Sequence, residues 1–197
     1  MTRKTVSEEI FEEFCASHSL VCRKIPHADT KTPDYELILG ETVVCVEIKQ
    51  IEAISGFSEQ GVSSRTVGDQ VRRQIESARE QMRAAADLEL PTILLIYNAV
   101  DPWQVFGTED HDFLTAMYGE LTIRIRISDG AKAAPFHGRN AKFRKGAKLY
   151  FSAVGHLSSA AGDIRIRLFE NVYAQNPLPF DAMPACFGLK RIELVAT

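Results

Sequence analysis

No apolar run in the 197-residue chain approaches the ~20 residues that cross a bilayer, which excludes a helical membrane span and a membrane partner of that kind. The opening stretch MTRKTVSEEIFEEF has basic residues but no uninterrupted apolar segment behind them. It does not read as a secretory signal, and a cytoplasmic location is the expectation. Cysteine is sparse: Cys15, Cys22, Cys45 and Cys186 include no C-x-x-C pair. A zinc framework or a disulfide scaffold is therefore not expected, and buried free thiols are. Charge of one sign is missing as well. Lys and Arg number 23 against 26 Asp and Glu, a net charge of −3, whereas a protein that coats nucleic acid by bulk charge is strongly basic. Any contact with nucleic acid must come from local basic patches and a metal. His18, His27, His111, His137 and His156 show no mutual spacing of metal ligands and read as structural. There is no glycine-rich phosphate loop and no G-x-S-x-G, so serine-nucleophile hydrolysis has no support.

What is present is ordinary for a globular protein: 45% hydrophobic and 25% charged residues, with no internal repeat, low-complexity tract or linker. One domain over 1–197 is expected. The pattern predicts a helix from about Thr5 to His18, with Thr5 and Glu8 spaced as a capping box and an apolar face of Val6, Ile10, Phe11, Phe14, Cys15 and His18. Leu20–Ile25 reads as a short strand. Tyr35–Leu39 and Thr42–Ile48 read as strands joined by Gly40-Glu41, a plausible two-residue hairpin turn. Ser55–Gly68 reads as a mobile loop, and about Thr66–Asp87 as one long helix. Thr92–Tyr97 (TILLIY) reads as a strand buried on both faces. In the second half, Thr108–Tyr118 reads as a capped helix. Tyr150–Val154 is a strand candidate, and Leu121–Ile127 and Ile164–Phe169 alternate as half-exposed strands do. Asn171–Pro184 is expected to be irregular and to pack over the core.

The chemistry lies in Thr32–Gln50, TPDYELILGETVVCVEIKQ. With Gly40-Glu41 as the turn, Leu39 faces Thr42, and the same register carried outward sets Asp34 opposite Glu47, on one sheet face with Lys49. The other face, Tyr35, Leu37, Leu39, Val44, Val46 and Ile48, is core. Two carboxylates that close repel unless one is protonated or a cation lies between them, and two hard oxygen ligands suit Mg²⁺ or Mn²⁺. Lys49 then adds a fixed cation beside an attacking water or a developing phosphate charge. The bland alternative is an exposed Glu47–Lys49 pair with Asp34 capping a turn. Glu36, which shares their face, reads as solvated.

Pro33-Asp34 followed by Glu47-Ile48-Lys49 resembles the PD-(D/E)xK motif of the restriction-endonuclease-like nuclease superfamily. The element order over residues 5–97 also resembles that superfamily's core of a helix, three antiparallel strands, a helix and a further strand. The resemblance implies an α/β fold with a mixed sheet flanked by helices over residues 5–100. Residues 101–197 then form a β-rich extension packed on it. It implies a Mg²⁺- or Mn²⁺-dependent nuclease, acting on DNA more than RNA. Asp34, Glu47 and the Ile48 carbonyl would be metal ligands and Lys49 the catalytic lysine. Many members add a glutamate from the first helix. Glu8, Glu9, Glu12 and Glu13 compete for that place; Glu8 is better explained by the cap, and Glu12, which follows Phe11 and precedes Phe14 in an arrangement similar to some members, is preferred, with Glu13 next. A catalytically silent scaffold that binds nucleic acid or a protein partner is the alternative.

Secondary candidates are basic. Arg72 and Arg73 can hold phosphate, although Asp69, Glu76 and Glu80 lie within a helical turn and offer ordinary ion pairs. Arg139, Lys142, Arg144, Lys145 and Lys148 place five cations in ten residues with no acid, a candidate phosphate-contacting loop or a solvated one. Arg124, Arg126, Arg165 and Arg167 would share one face if their two strands paired. A homodimer or a protein partner held through the C-terminal half is the remaining expectation.

Overall fold

The structure, a computed structural model, describes residues 4–26, 31–54, 61–133 and 136–192. Helix α1 (Val6–Ser17) starts where expected. Thr5 accepts from the Glu8 N–H and Glu8 accepts from the Thr5 N–H, so both ends of the capping box are made. The strands β1 (Val21–Lys24), β2 (Tyr35–Leu39) and β3 (Thr42–Ile51) follow as an antiparallel meander. Leu39 pairs with Thr42, so the turn is Gly40-Glu41, and Gly40 takes φ +61°, which a residue without a Cβ adopts freely.

The long helix is two helices, α2 (Asp69–Ser77) and α3 (Arg79–Ala86), meeting at Ala78. Ser77 Oγ donates back to the Gln74 carbonyl at 3.0 Å, a bond that competes with the helical ladder and bends it. Gly68 precedes α2 with φ +76°, and a Cβ there would meet the backbone of Asp112 and Ala116 at 3.0 Å, so the helix can begin there only on glycine. Strand β4 (Thr92–Asn98) lies parallel to β3 and is buried at every position.

Residues 101–192 do not sit on that core as a separate layer. After α4 (Asp110–Tyr118) comes a small antiparallel ribbon of β5 (Leu121–Thr122) and β6 (Phe136–His137). The chain then returns to the main sheet as β7 (Ala153–Ser158), β8 (Arg165–Glu170) and β9 (Phe187–Lys190). The result is α/β: a mixed seven-stranded sheet in the order β1-β2-β3-β4-β7-β8-β9 and four α-helices among the described residues. One apolar layer joins α1, through Phe11, Phe14 and Cys15, to Tyr35, Val46, Ile48, Leu95 and Phe187. The other joins α2, α3 and α4 to Ile51, Leu94, Ile96, Val154 and Phe169. Leu178 and Phe180, in the proline-rich stretch, close the first layer as expected of a tail packed on the core.

Three expectations for the second half change. The strand expected at Tyr150–Val154 begins at Ala153, where the backbone first meets β4 at Ile93; the rings of Tyr150 and Phe151 instead lie against each other, tilted by 37° with centroids 5.1 Å apart. Leu121–Ile127 is strand only over its first two residues, because no sheet face covers it: Ile127 is fully exposed and Ile125 more than half. Its arginines therefore do not share a face with Arg165 and Arg167, since β5 pairs with β6 whereas β8 pairs with β7 and β9. No helix among the described residues is long and apolar enough to cross a membrane.

Candidate metal and phosphodiester site

The hairpin brings Asp34, Glu47 and Lys49 together. Glu47 and Lys49 pair across the parallel ladder with Leu94 and Ile96, so they point to the side covered by α2 and α3. Glu47 is 2% exposed, and Lys49 Nζ meets its Oε1 at 2.7 Å. Its other oxygen, Oε2, is buried with no N–H or O–H donor aimed at it, and the Asp34 carboxyl can pair with Glu47 only if the two share a proton. Burial first, and Asp34 second, push the Glu47 carboxyl up to about 7.

Asp34 arrives by a different route from the one the register suggests. The β2–β3 ladder ends at Tyr35–Val46, and Asp34 lies on a bend where its N–H donates to the Val46 carbonyl at 3.0 Å. Its carboxylate turns back across the strand, and Oδ2 accepts the Ile48 N–H at 2.8 Å. Asp34 is therefore not directly opposite Glu47 in the ladder, yet the two carboxyls lie within reach of each other. Asp34 is also pushed up, chiefly by burial. The Ile48 N–H opposes that shift, and the Glu8 charge adds to it. The contribution of Ile48 seen here is this amide.

The first helix presents Glu8 toward the pair, not Glu12. Glu12 accepts from the Tyr35 hydroxyl at 2.8 Å and from Lys4 at 2.6 Å. The Tyr35 hydroxyl that Glu12 accepts from also feels the charges of Glu8 and Asp34, but Glu12 is not among the leading influences on Asp34 or Glu47 themselves. Glu8 keeps its cap with one oxygen, and the other meets Lys24 at 2.5 Å. Lys24 in turn draws Asp34 downward. Sequence reasoning set Glu8 aside because the cap accounted for it; the signal it missed is that a carboxylate has two oxygens. Nothing in the local pattern flagged Lys24.

The basic candidates divide. Arg72 is engaged in part: Nε and Nη1 donate to the Asn140 and Val67 carbonyls at 3.3 and 3.0 Å, while Nη2 is buried without a partner and the residue lines a cleft. Arg73 pairs with Asp69 one turn away at 2.9 Å. Lys142 and Lys148 converge on Glu76 at 3.2 and 2.9 Å and hold it below its ordinary value. Arg139, Arg144 and Lys145 are exposed, with no acidic partner among the described residues. A cleft of about 380 Å³ lies between α2 and this segment, lined by Thr66, Asp69, Arg72, Glu120, Asn140 and Lys142, and touches none of the acidic pair.

A second acidic group forms at the start of α4, where ligand atoms of Glu109, His111 and Asp112 lie within 4.8 Å of one another. Its centre is taken by a guanidinium. Arg65 pairs with the fully buried Asp112, reaches Glu109 at 2.7 Å and lies 3.1 Å from His111 Nε2. Asp112 also accepts the Gly68 N–H at 2.8 Å. This is a clasp holding Arg65 and Gly68, at the end of the expected loop, to α4. Residues 55–60 of that expected loop lie outside the described residues.

Comparison with known proteins finds no match among family models, curated proteins or solved structures.

Proposed function

We propose that this chain is a Mg²⁺- or Mn²⁺-dependent phosphodiesterase built on a restriction-endonuclease-like core, cutting nucleic acid, DNA in preference to RNA. The observation that carries the reading is the second oxygen of Glu47, buried with no donor aimed at it, beside the Asp34 carboxyl with which it can pair only by sharing a proton or a cation. An orphaned buried carboxylate oxygen costs about 1–3 kcal/mol or more, and a bound cation removes that cost. The donor set fits such an ion: two carboxylates at the open end of a hairpin, hard ligands for a hard cation.

Asp34 and Glu47 would hold the metal, with the Ile48 carbonyl that the resemblance supplies. When bound, the ion supplies Lewis acidity for an attacking water and neutralises charge on the phosphate. The protein's own groups do the rest. The Ile48 amide fixes the Asp34 carboxylate. Lys49, anchored to Glu47, presents an ammonium to the phosphate oxygens or to the water. The Glu8–Lys24 pair sets the charge around Asp34. Glu12 is not assigned a part.

The Lys49–Glu47 contact at 2.7 Å favours a second reading, a silent nucleic-acid or protein-binding scaffold in which the lysine replaces the metal. Incubation of the protein with DNA and RNA and Mg²⁺ or Mn²⁺ decides, beside Lys49→Ala and Asp34→Ala. Cleavage by the parent that both variants lose supports the enzyme. No cleavage, with no Mn²⁺ uptake by calorimetry, supports the scaffold.

A further inference from the structure

The charge of the chain is partitioned. Residues 121–148 carry eight Lys and Arg against one acid, Asp129, while the whole chain has 23 against 26; the rest is left with 15 cations against 25 acids. A surplus of seven in 28 residues of an acidic protein sets up a local positive potential that composition as a whole conceals.

The fold gives this segment a fixed shape. Its root is tied to the end of α4: Glu120 N–H donates to Arg139 O at 2.9 Å, Gly138 N–H to Glu120 O at 2.8 Å, and Asn140 Nδ2 to Glu120 at 2.6 Å. From that root the ribbon projects to a turn at 126–131, where Gly130 N–H donates to Arg126 O at 2.8 Å. Past the root, Phe143 is sunk into the core at 1% exposure, and the N–H groups of Lys142 and Phe143 donate to the Ala116 and Met117 carbonyls. The next residues turn sharply, with Ala147 N–H donating to Arg144 O at 2.9 Å and Gly146 at φ +81°. Arg144 and Lys145 thus stand on a turn anchored by a buried ring. Four cations, Lys132, Arg139, Arg144 and Lys145, are exposed and have no acidic partner among the described residues. Pre-organised cations with no internal counter-charge are what a phosphate backbone neutralises, by releasing its condensed counterions.

We propose that the described residues of this segment, 121–133 and 136–148, form a nucleic-acid docking arm. Lys132, Arg139, Arg144 and Lys145 contact backbone phosphates of a duplex, and the arm works without metal and apart from the acidic pair. It deepens the phosphodiesterase reading by naming the surface that holds the substrate, and rests on that reading for its biological sense. The arm binds by backbone charge, so it carries no base specificity. The ribbon also exposes Ile123, Ile125 and Ile127, Ile125 directly across from Lys132, so a second copy of this chain is the rival occupant.

The test is fluorescence anisotropy of the full chain with labelled 30-base-pair DNA and RNA duplexes in EDTA, between 50 and 200 mM salt. The parent should bind a duplex with steep salt dependence. The four-site variant K132Q/R139Q/R144Q/K145Q should bind at least about tenfold more weakly at low salt, with a log–log salt slope shallower by about 3–4. R165Q/R167Q, which removes two exposed cations elsewhere, should match the parent. The measurement is made in EDTA and needs no cleavage, so a failed cleavage assay leaves it intact. Circular dichroism confirms that each variant is folded. Equal binding by parent and four-site variant, or no binding by the parent to either duplex, overturns the proposal. So does a parent dimer by light scattering that the variant loses without any duplex binding.

Discussion

The Ile48 N–H donates to Oδ2 of Asp34 at 2.8 Å, so the residue between Glu47 and Lys49 holds the remaining member of the constellation with its own backbone. The three charged groups are therefore not independent: the strand that carries two of them also aims the third. Asp34→Asn keeps an acceptor for that amide and should melt within about 1 kcal/mol of the parent, whereas Asp34→Ala orphans it and should lose about 1–3 kcal/mol. Cleavage should fall at least about 100-fold in both. Thermal melts beside a fluorescent-duplex cleavage assay check this; an active Asp34→Asn variant would remove the carboxylate from the mechanism.

Glu47 makes stability depend on pH. Its carboxyl titrates at about 7 when folded and near the ordinary 4.5 when unfolded. Between those values the native state holds the extra proton, so stability should fall as pH rises from about 4.5 to about 7, by up to about 1.4 kcal/mol per pH unit. Glu47→Gln should flatten that slope. Mg²⁺ or Mn²⁺ should restore the parent's stability above pH 7 and leave Glu47→Gln unmoved. Urea unfolding at several pH values, with and without metal, reads both effects.

The two helix carboxylates should separate in kinetics. Glu8→Gln preserves the capping box but removes a charge felt at Asp34, and cleavage should change by about tenfold, as for groups that support metal ligands. Glu12→Gln disturbs the Tyr35 and Lys4 contacts and no leading influence on Asp34 or Glu47, and should stay within about twofold. A larger effect from Glu12→Gln than from Glu8→Gln would reverse this placement.

The Arg65 clasp should matter to folding and not to chemistry. Arg65→Ala leaves Asp112 charged at zero exposure and should cost about 3–5 kcal/mol. Asp112→Asn, which retains an acceptor for the Gly68 N–H, should cost less. Neither should bind Mn²⁺ differently from the parent by calorimetry; a lost binding step in Asp112→Asn would make the clasp a metal centre.

Much of the first half was legible because its signals are local. The Thr5–Glu8 cap, the Gly40-Glu41 turn and the unbroken apolar run of β4 each announce an element within a few residues. That turn brings the chain before Tyr35 back beside Glu47 and Lys49, although it does not set Asp34 directly opposite Glu47. What local pattern could not reach was the bend at Asp34, which depends on a side chain replacing a carbonyl in the ladder. The break at Ala78 and the fate of Leu121–Ile127 were equally hidden. Alternation shows that a strand has two unlike faces, but not whether any layer will cover the apolar one. Arg65 looked like part of a loose loop because its partners lie more than forty residues onward.

The central position of β4 has a consequence for dissection. It is buried at every residue and bonded on one side to β3 and on the other to β7, a strand that arrives some sixty residues later. A fragment ending near residue 100 would keep every group of the acidic site yet present the raw edge of TILLIYN, a seven-residue invitation to pair with another chain. Chemistry confined to the first half thus remains hostage to the second, and the molecule must be inherited whole.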